Sequence, residues 1–116
     1  MSKLSLKELT IQYFKKKGYK ILEENSLIEG TDGITRRFDL IIAKGNEKQP
    51  VWIKPWKRTV GVNIVINIDK AANTTKLGKP IIIAEKFSVH AKAYAHRKSI
   101  TLLTKRGIQS ALRYRH

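Results

Sequence analysis

The chain has no cysteine, which excludes disulfides, thiolate nucleophiles and zinc–thiolate centres outright. Acids are scarce: nine Asp and Glu stand against 24 Lys and Arg, a formal charge of +15 over 116 residues. No apolar run approaches the ~20 residues of a membrane span. The opening MSKLSLKELT lacks the apolar stretch of a signal peptide. These absences lead us to expect a soluble intracellular protein, placed in the cytoplasm, with no membrane association. Acid poverty also argues against a general thermophile-like enrichment in charge, which raises Glu together with Lys.

What remains is a single-domain chain, 1–116, large enough for one core of two or three layers. A hydrophobic fraction of 41% suffices for folding, so the charge does not signal disorder. A field this one-sided repels itself and implies a polyanionic partner, nucleic acid first. An anionic membrane surface ranks second, but no segment joins a clean apolar face to a basic one.

Along the chain, Leu6, Leu9, Tyr13 and Phe14 fall near one face of a helix over residues 4–17, stopped at Gly18. Tyr19–Glu24 reads as a strand and residues 25–35, with Gly30 and Gly33, as an irregular connection. Arg37–Ala43 is a buried strand, Gly45-Asn46 a turn, and Val51–Lys54 the paired strand. Residues 60–76 fit two templates: Val60, Val62, Ile64, Ile66 and Ile68 alternate as a strand does, whereas Ile64, Val65, Ile68, Ala71 and Ala72 share a helical face. Pro80–Glu85 reads as a strand and Ser88 caps a helix through Arg97. Ser99–Leu103 is the last strand and residues 105–114 form a basic helix. The order α-β-β-β-α-β-α-β-α implies a mixed sheet between helices, with helical crossovers 54→81 and 84→99 joining parallel strands.

Asp39 and Lys54 stand at the ends of the hairpin RRFDLII–AKGNEKQ–PVWIK, and both are expected to meet beside one cationic groove. An acid and an ammonium on neighbouring strands are the skeleton of metal-assisted phosphodiester hydrolysis: the acid holds a hard cation and the ammonium stabilises transition-state charge. The alternative for Asp39 is an ion pair with Arg36 or Arg37. Trp52, two residues before Lys54, shares its sheet face and offers one N–H donor but no lone pair for a metal.

With these residues in view the chain resembles the restriction-endonuclease-like superfamily, the PD-(D/E)xK nucleases, and within it Mrr-type restriction endonucleases and archaeal Holliday-junction resolvases. The resemblance is carried by KKKGYKI, FDLIIA, VWIKPWKRTVGV, KPIIIAEKFSVHAKAYA and ITLLTKRGI, in order, over nearly the whole chain. It implies an α/β, restriction-endonuclease-like mixed β-sheet flanked by helices, and it favours a helix from about Asn63. It implies that Asp39 is the metal-binding acid, Lys54 the catalytic lysine, Glu8 the assisting acid of the first helix, and Mg²⁺ the cofactor if the protein is active. Trp52 occupies the family's Glu/Gln position. That departure implies lost or weakened catalysis, unless Glu24, Glu29 or Asp32 has migrated into the site.

For binding, Trp56, Lys57 and Arg58 combine ring stacking with phosphate contact; Trp52 either joins them or packs in the core. Arg36, Arg37, Lys15, Lys16, Lys105 and Arg106 extend the basic surface, with Lys17, Arg113 and Arg115 beside them. His90, His96 and His116 lack the spacing of a ligand set. We therefore expect a DNA-binding protein on a nuclease scaffold, possible as a homodimer. The alternatives are an Mg²⁺-dependent endodeoxyribonuclease with a relocated acid, or a protein-interaction module for an acidic partner.

Overall fold

A capping box starts the first helix: the Ser5 hydroxyl accepts from the Glu8 amide and the Glu8 carboxylate accepts from the Ser5 amide, which satisfies two of the helix's orphan donors. In the computed structural model, which describes residues 4–113, this helix is α1 (Leu6–Lys16). It is followed by β1 (Lys20–Glu29), β2 (Thr35–Lys44), β3 (Glu47–Lys54), α2 (Val62–Asn73), β4 (Ile81–Ala84), α3 (Val89–Lys98), β5 (Thr101–Thr104) and α4 (Lys105–Arg113). The element order is the one expected. Arg115, His116 and the end of the last helix at Tyr114 lie outside the described residues. Among the described residues no helix is long and apolar enough to cross a membrane.

One five-stranded sheet runs β1-β2-β3-β4-β5. β1/β2 and β2/β3 are antiparallel, β3/β4 and β4/β5 parallel, as the two helical crossovers require. Leu40, Ile42, Val51, Ile53, Ile81 and Ile83 pack with Leu6 and Phe14 of α1 and Ile108 of α4. Ile41, Trp52, Ile82 and Ala84 pack with Val65, Ile68 and Ala72 of α2 and Ala91 and Ala95 of α3. Each buried Ile or Leu contributes roughly 1.5–3 kcal/mol, so both faces of the sheet carry the fold.

Three expectations are corrected. Residues 25–35 are mostly strand: β1 reaches Glu29, β2 begins at Thr35, and only 30–34 turn. β3 starts at Glu47, because the tight turn at Gly45 (φ 63°) lets pairing begin with Lys44↔Glu47. Ser99 is not strand; it closes α3 in the left-handed region (φ 59°). The ambiguous segment 60–76 resolves as helix after a single bridge, Val60↔Phe87. The crossover to a parallel neighbour overrides its β-branched pattern.

Parallel pairing aligns the ends of three strands, Lys54↔Ala84↔Thr104. The hairpin turn at Gly45-Asn46 lies at the opposite end of the sheet.

Candidate functional site

Near the end of the sheet marked by Lys54, β2 changes sides. Strand alternation would put Phe38 and Leu40 on one face, yet Leu40 packs towards α1 and Phe38 joins the α2/α3 cluster. Between them lies Asp39. On the neighbouring strand the pairs Glu24↔Leu40 and Ser26↔Phe38 bracket Asn25, which has φ 51°, a conformation asparagine tolerates better than most residues.

The switch turns Asp39 towards α1, where it lines a cavity of about 290 Å³ with Ser5, Leu6, Lys7, Arg37, Ile53 and Pro55. Pairing of β2 with β3 ends at Leu40↔Val51. Beyond it the Asp39 carboxylate replaces a backbone carbonyl, with Oδ2 accepting from the Ile53 amide at 2.7 Å. Oδ1 accepts from Arg37 Nη1 at 2.9 Å, and the same nitrogen donates to Asn25 Oδ1 at 2.9 Å. The Asp39 side chain is 13% exposed. Of the two alternatives for this acid, the ion pair with Arg37 is present.

Lys54 lies one residue past Ile53, in register with Ala84 and on the face of Trp52. Its ammonium sits 5.4 Å from the centroid of the Trp56 ring, and the Arg58 guanidinium stacks on that ring at 4.2 Å. Asp39 and Lys54 thus stand on neighbouring strands, Asp39 lining the cavity beside α1 and Lys54 resting on Trp56. Trp52 is core, 7% exposed, edge-to-face with Phe38 at 4.5 Å.

The other acids are engaged elsewhere. Glu8 is committed to the capping box. Glu24 pairs with Lys7 at 3.2 Å, and Lys7 lines the Asp39 cavity. Asp32 is bound by Arg36 at 2.8 Å; that guanidinium, with the Ile34 amide, holds its carboxyl below the ordinary range. Glu29 closes β1 opposite Thr35. Among the described residues no three His, Asp or Glu side chains gather as a metal-binding group. With both Asp39 oxygens engaged by N–H donors and an indole in the second acid's place, these residues do not fit a divalent ion held by paired carboxylates.

The expected binding residues divide between the ends of the sheet. Trp56 is half-buried against the α2/α3 core, while Lys57 and Arg58 are exposed. Arg36 is occupied by Asp32 and by the Thr74 hydroxyl at 3.1 Å. Lys105, beside exposed Arg106, approaches Glu85 at 3.7 Å. Lys15 is exposed at the opposite end, and Lys16 donates to the Ala111 carbonyl at 2.7 Å, fastening α1 to α4.

Sequence reasoning missed Asp69, 4% exposed on the apolar face of α2. Its Oδ2 accepts from the Tyr94 hydroxyl at 2.8 Å; its Oδ1 has no hydrogen bond and only Lys79 within ion-pair range, at 3.8 Å. The hydrogen bond to Asp69, and then burial, raise the Tyr94 pKa. The available signal was an acid between Ile68 and Ala71.

A family model described as restriction endonuclease, of the Mrr catalytic-domain type, matches residues 1–112. No curated protein sequence matches significantly. Among solved structures, a protein of unknown function, AF1548, superposes with TM-score 0.73 at 16% identity over 83% of this chain and 54% of its own. A repair endonuclease from Pyrococcus abyssi gives 0.62 at 13% identity over 88% and 47%. The EndoMS–dsDNA complex gives 0.54 at 14% identity over 90% and 46%. At such identities the likeness is one of fold, and this chain spans about half the length of those structures.

Proposed function

The chain belongs to the Mrr-type restriction-endonuclease family, and from that premise we propose that it binds nucleic acid, DNA first, on a nuclease scaffold that has lost its cleavage chemistry. The observation that carries this reading is the engagement of Asp39. Its oxygens hold the Ile53 amide and Arg37, its partner position is the buried Trp52, and Lys54 rests on Trp56. These engagements support a site without the paired acids and shared carboxylate–ammonium geometry that metal-assisted cleavage uses. The charge of +15 supports binding through the phosphate backbone, which makes affinity fall steeply with salt. A two-fold dimer and a cytoplasmic setting belong to the same proposal, the first read from the mass of the protein in solution.

The test is nicking or cleavage of duplex, branched and single-stranded DNA with Mg²⁺ or Mn²⁺. We expect none. Robust cutting abolished by Asp39→Ala and by Lys54→Ala overturns the inactive reading. Cutting also lost in Glu24→Gln establishes the second reading, a relocated-acid endonuclease, which the Glu24–Lys7 pair beside the Asp39 cavity favours. A salt-insensitive response, or no DNA binding, favours an acidic protein partner.

A further inference from the structure

The charges are distributed unevenly between the two ends of the sheet. The fold sends the C-termini of α1, α2 and α3 to the hairpin end, together with the starts of β1, β3, β4 and β5 and the end of β2. The helix ends bring exposed Lys15, Lys17, Lys76, Arg97 and Lys98 there. The strand ends add exposed Lys20, Lys44, Lys48 and Lys79. Against them, among the described residues, stand Glu47, Asp32, whose partner Arg36 also bonds Thr74 at the C-cap of α2, and the buried Asp69 beside Lys79.

At the other end part of the charge is answered in cis, although Lys57, Arg58, Lys86, Lys92 and Arg106 are exposed there. Lys7–Glu24, Arg37–Asp39 and Lys105–Glu85 are three of the five ion pairs of the described residues; a fourth, Arg36–Asp32, lies against Thr74 at the C-cap of α2. The fifth, Lys79–Asp69, is long at 3.8 Å; Lys44, Lys48 and Lys76 enter none. Cations at helix C-termini ordinarily offset the helix dipole, which accounts for Lys15, Lys17 and Lys76. It does not account for Lys20, Lys44, Lys48 and Lys79, which stand on strand ends.

This end also has shape. Lys48, Lys76 and Lys79 line a cleft of about 360 Å³ with Asn46, Gln49 and a single acid, Glu47. A second cleft of about 310 Å³ shares Gln49 and is walled by Tyr13 and Tyr19, with Lys17 and Lys44. Those ammonium groups lie 5.6 Å from the Tyr13 ring centroid and 5.2 Å from that of Tyr19. Ammonium groups beside half-buried aromatic rings are the means by which proteins hold a single strand: phosphate on cation, base on ring.

We infer that the hairpin end, opposite the nuclease-derived site, grips a nucleic-acid strand, with phosphates on Lys48, Lys76 and Lys79 and an unpaired base in the cleft of Tyr13 and Tyr19. The inference rests on the nucleic-acid reading above and relocates its contact surface.

The experiment titrates a labelled single-stranded oligonucleotide, and its duplex, against salt with the full chain. Lys48→Gln/Lys76→Gln is compared with Lys86→Gln/Lys92→Gln, a matched pair of exposed lysines at the other end. Lys79 is left intact because Asp69 relies on it. Loss of two phosphate contacts reduces the log–log salt slope by about 1.4 on the single strand and lowers affinity about tenfold at low salt; the matched control keeps wild-type values. Tyr19→Leu weakens single-strand binding at least about fivefold, whereas Tyr19→Phe, which keeps the ring, does not. Thermal melts of each variant confirm the fold. Equal loss from both lysine pairs, or loss from the control alone, overturns the inference and leaves nucleic-acid binding standing. An unchanged Tyr19→Leu overturns the base-in-cleft assignment. No binding of either probe by the wild type overturns the reading beneath it.

Discussion

Replacing Asp39 asks whether its carboxylate serves the fold or a reaction. In Asp39→Ala the Ile53 amide loses an acceptor at 2.7 Å in a residue 8% exposed. A buried donor left without a partner costs about 1–3 kcal/mol. The lost pair with Arg37, whose side chain is 54% exposed, adds about 1 kcal/mol at most after solvent screening. The total is near 2 kcal/mol. With a urea dependence of about 1–3 kcal/mol per molar, the unfolding midpoint falls by about 1 M. Asp39→Asn keeps a carbonyl oxygen for Ile53 and loses less than about 1 kcal/mol. Equilibrium urea unfolding in EDTA, followed by tryptophan fluorescence, measures both. A carboxylate held in reserve for a metal behaves oppositely, because its removal relieves an uncompensated buried charge. An Asp39→Ala protein as stable as wild type, or an Asp39→Asn protein as weak as Asp39→Ala, refutes the assignment.

Placing an acid at position 52 with Trp52→Glu is expected to yield no Mg²⁺-dependent cleavage. It removes a buried ring, about 3–5 kcal/mol, and puts a carboxylate in its place on a fold whose total stability is of order 5–15 kcal/mol; loss of near-ultraviolet dichroism is expected, and a folded, Mg²⁺-dependent nickase is the contrary result. Alkaline stability reports on Tyr94. Its pKa is raised above 10.0 in the fold, so its contribution is complete below pH 10 and declines as pH rises through the folded value. Tyr94→Phe is therefore less stable at neutral pH by about 1–3 kcal/mol. Thermal midpoints of the two proteins converge as pH rises past about 10; a gap that widens instead contradicts the Tyr94–Asp69 hydrogen bond.

Where burial was continuous the strands were legible. Phe38 to Ile42 and Ile81 to Ile83 are apolar because both sheet faces are covered, and the hairpin followed from its turn residues. β1 was half-missed for the converse reason: as an edge strand it carries Glu23, Glu24, Asn25 and Glu29 along a solvent-facing run, the usual protection of an open edge, and such a run reads as loop. The helix after Gly61 was not decidable from local pattern, since Val62, Ile64, Ile66 and Ile68 suit a strand; only the resemblance favoured it. The site was legible as positions but not as directions. Asp39 and Lys54 do lie on adjacent strands, yet the partners each takes, Ile53 and Arg37 for Asp39 and Trp56 for Lys54, are set by the fold. No residue near Asp39 announces that.

The same distinction governs charge. A net value is additive and needs only the sequence, whereas a field depends on which cations find acids within reach. Glu8, Glu24, Asp39 and Glu85 are scattered along the chain, and topology gathers them towards the Asp39 end, where three ion pairs form. That leaves much of the +15 to act from the hairpin end. A scaffold that once directed charge at a scissile phosphate would need its cations around Asp39. Around Asp39 the Arg37 and Lys7–Glu24 pairs offset part of the local charge, whereas Lys48 and Lys76 share a cleft at the hairpin end.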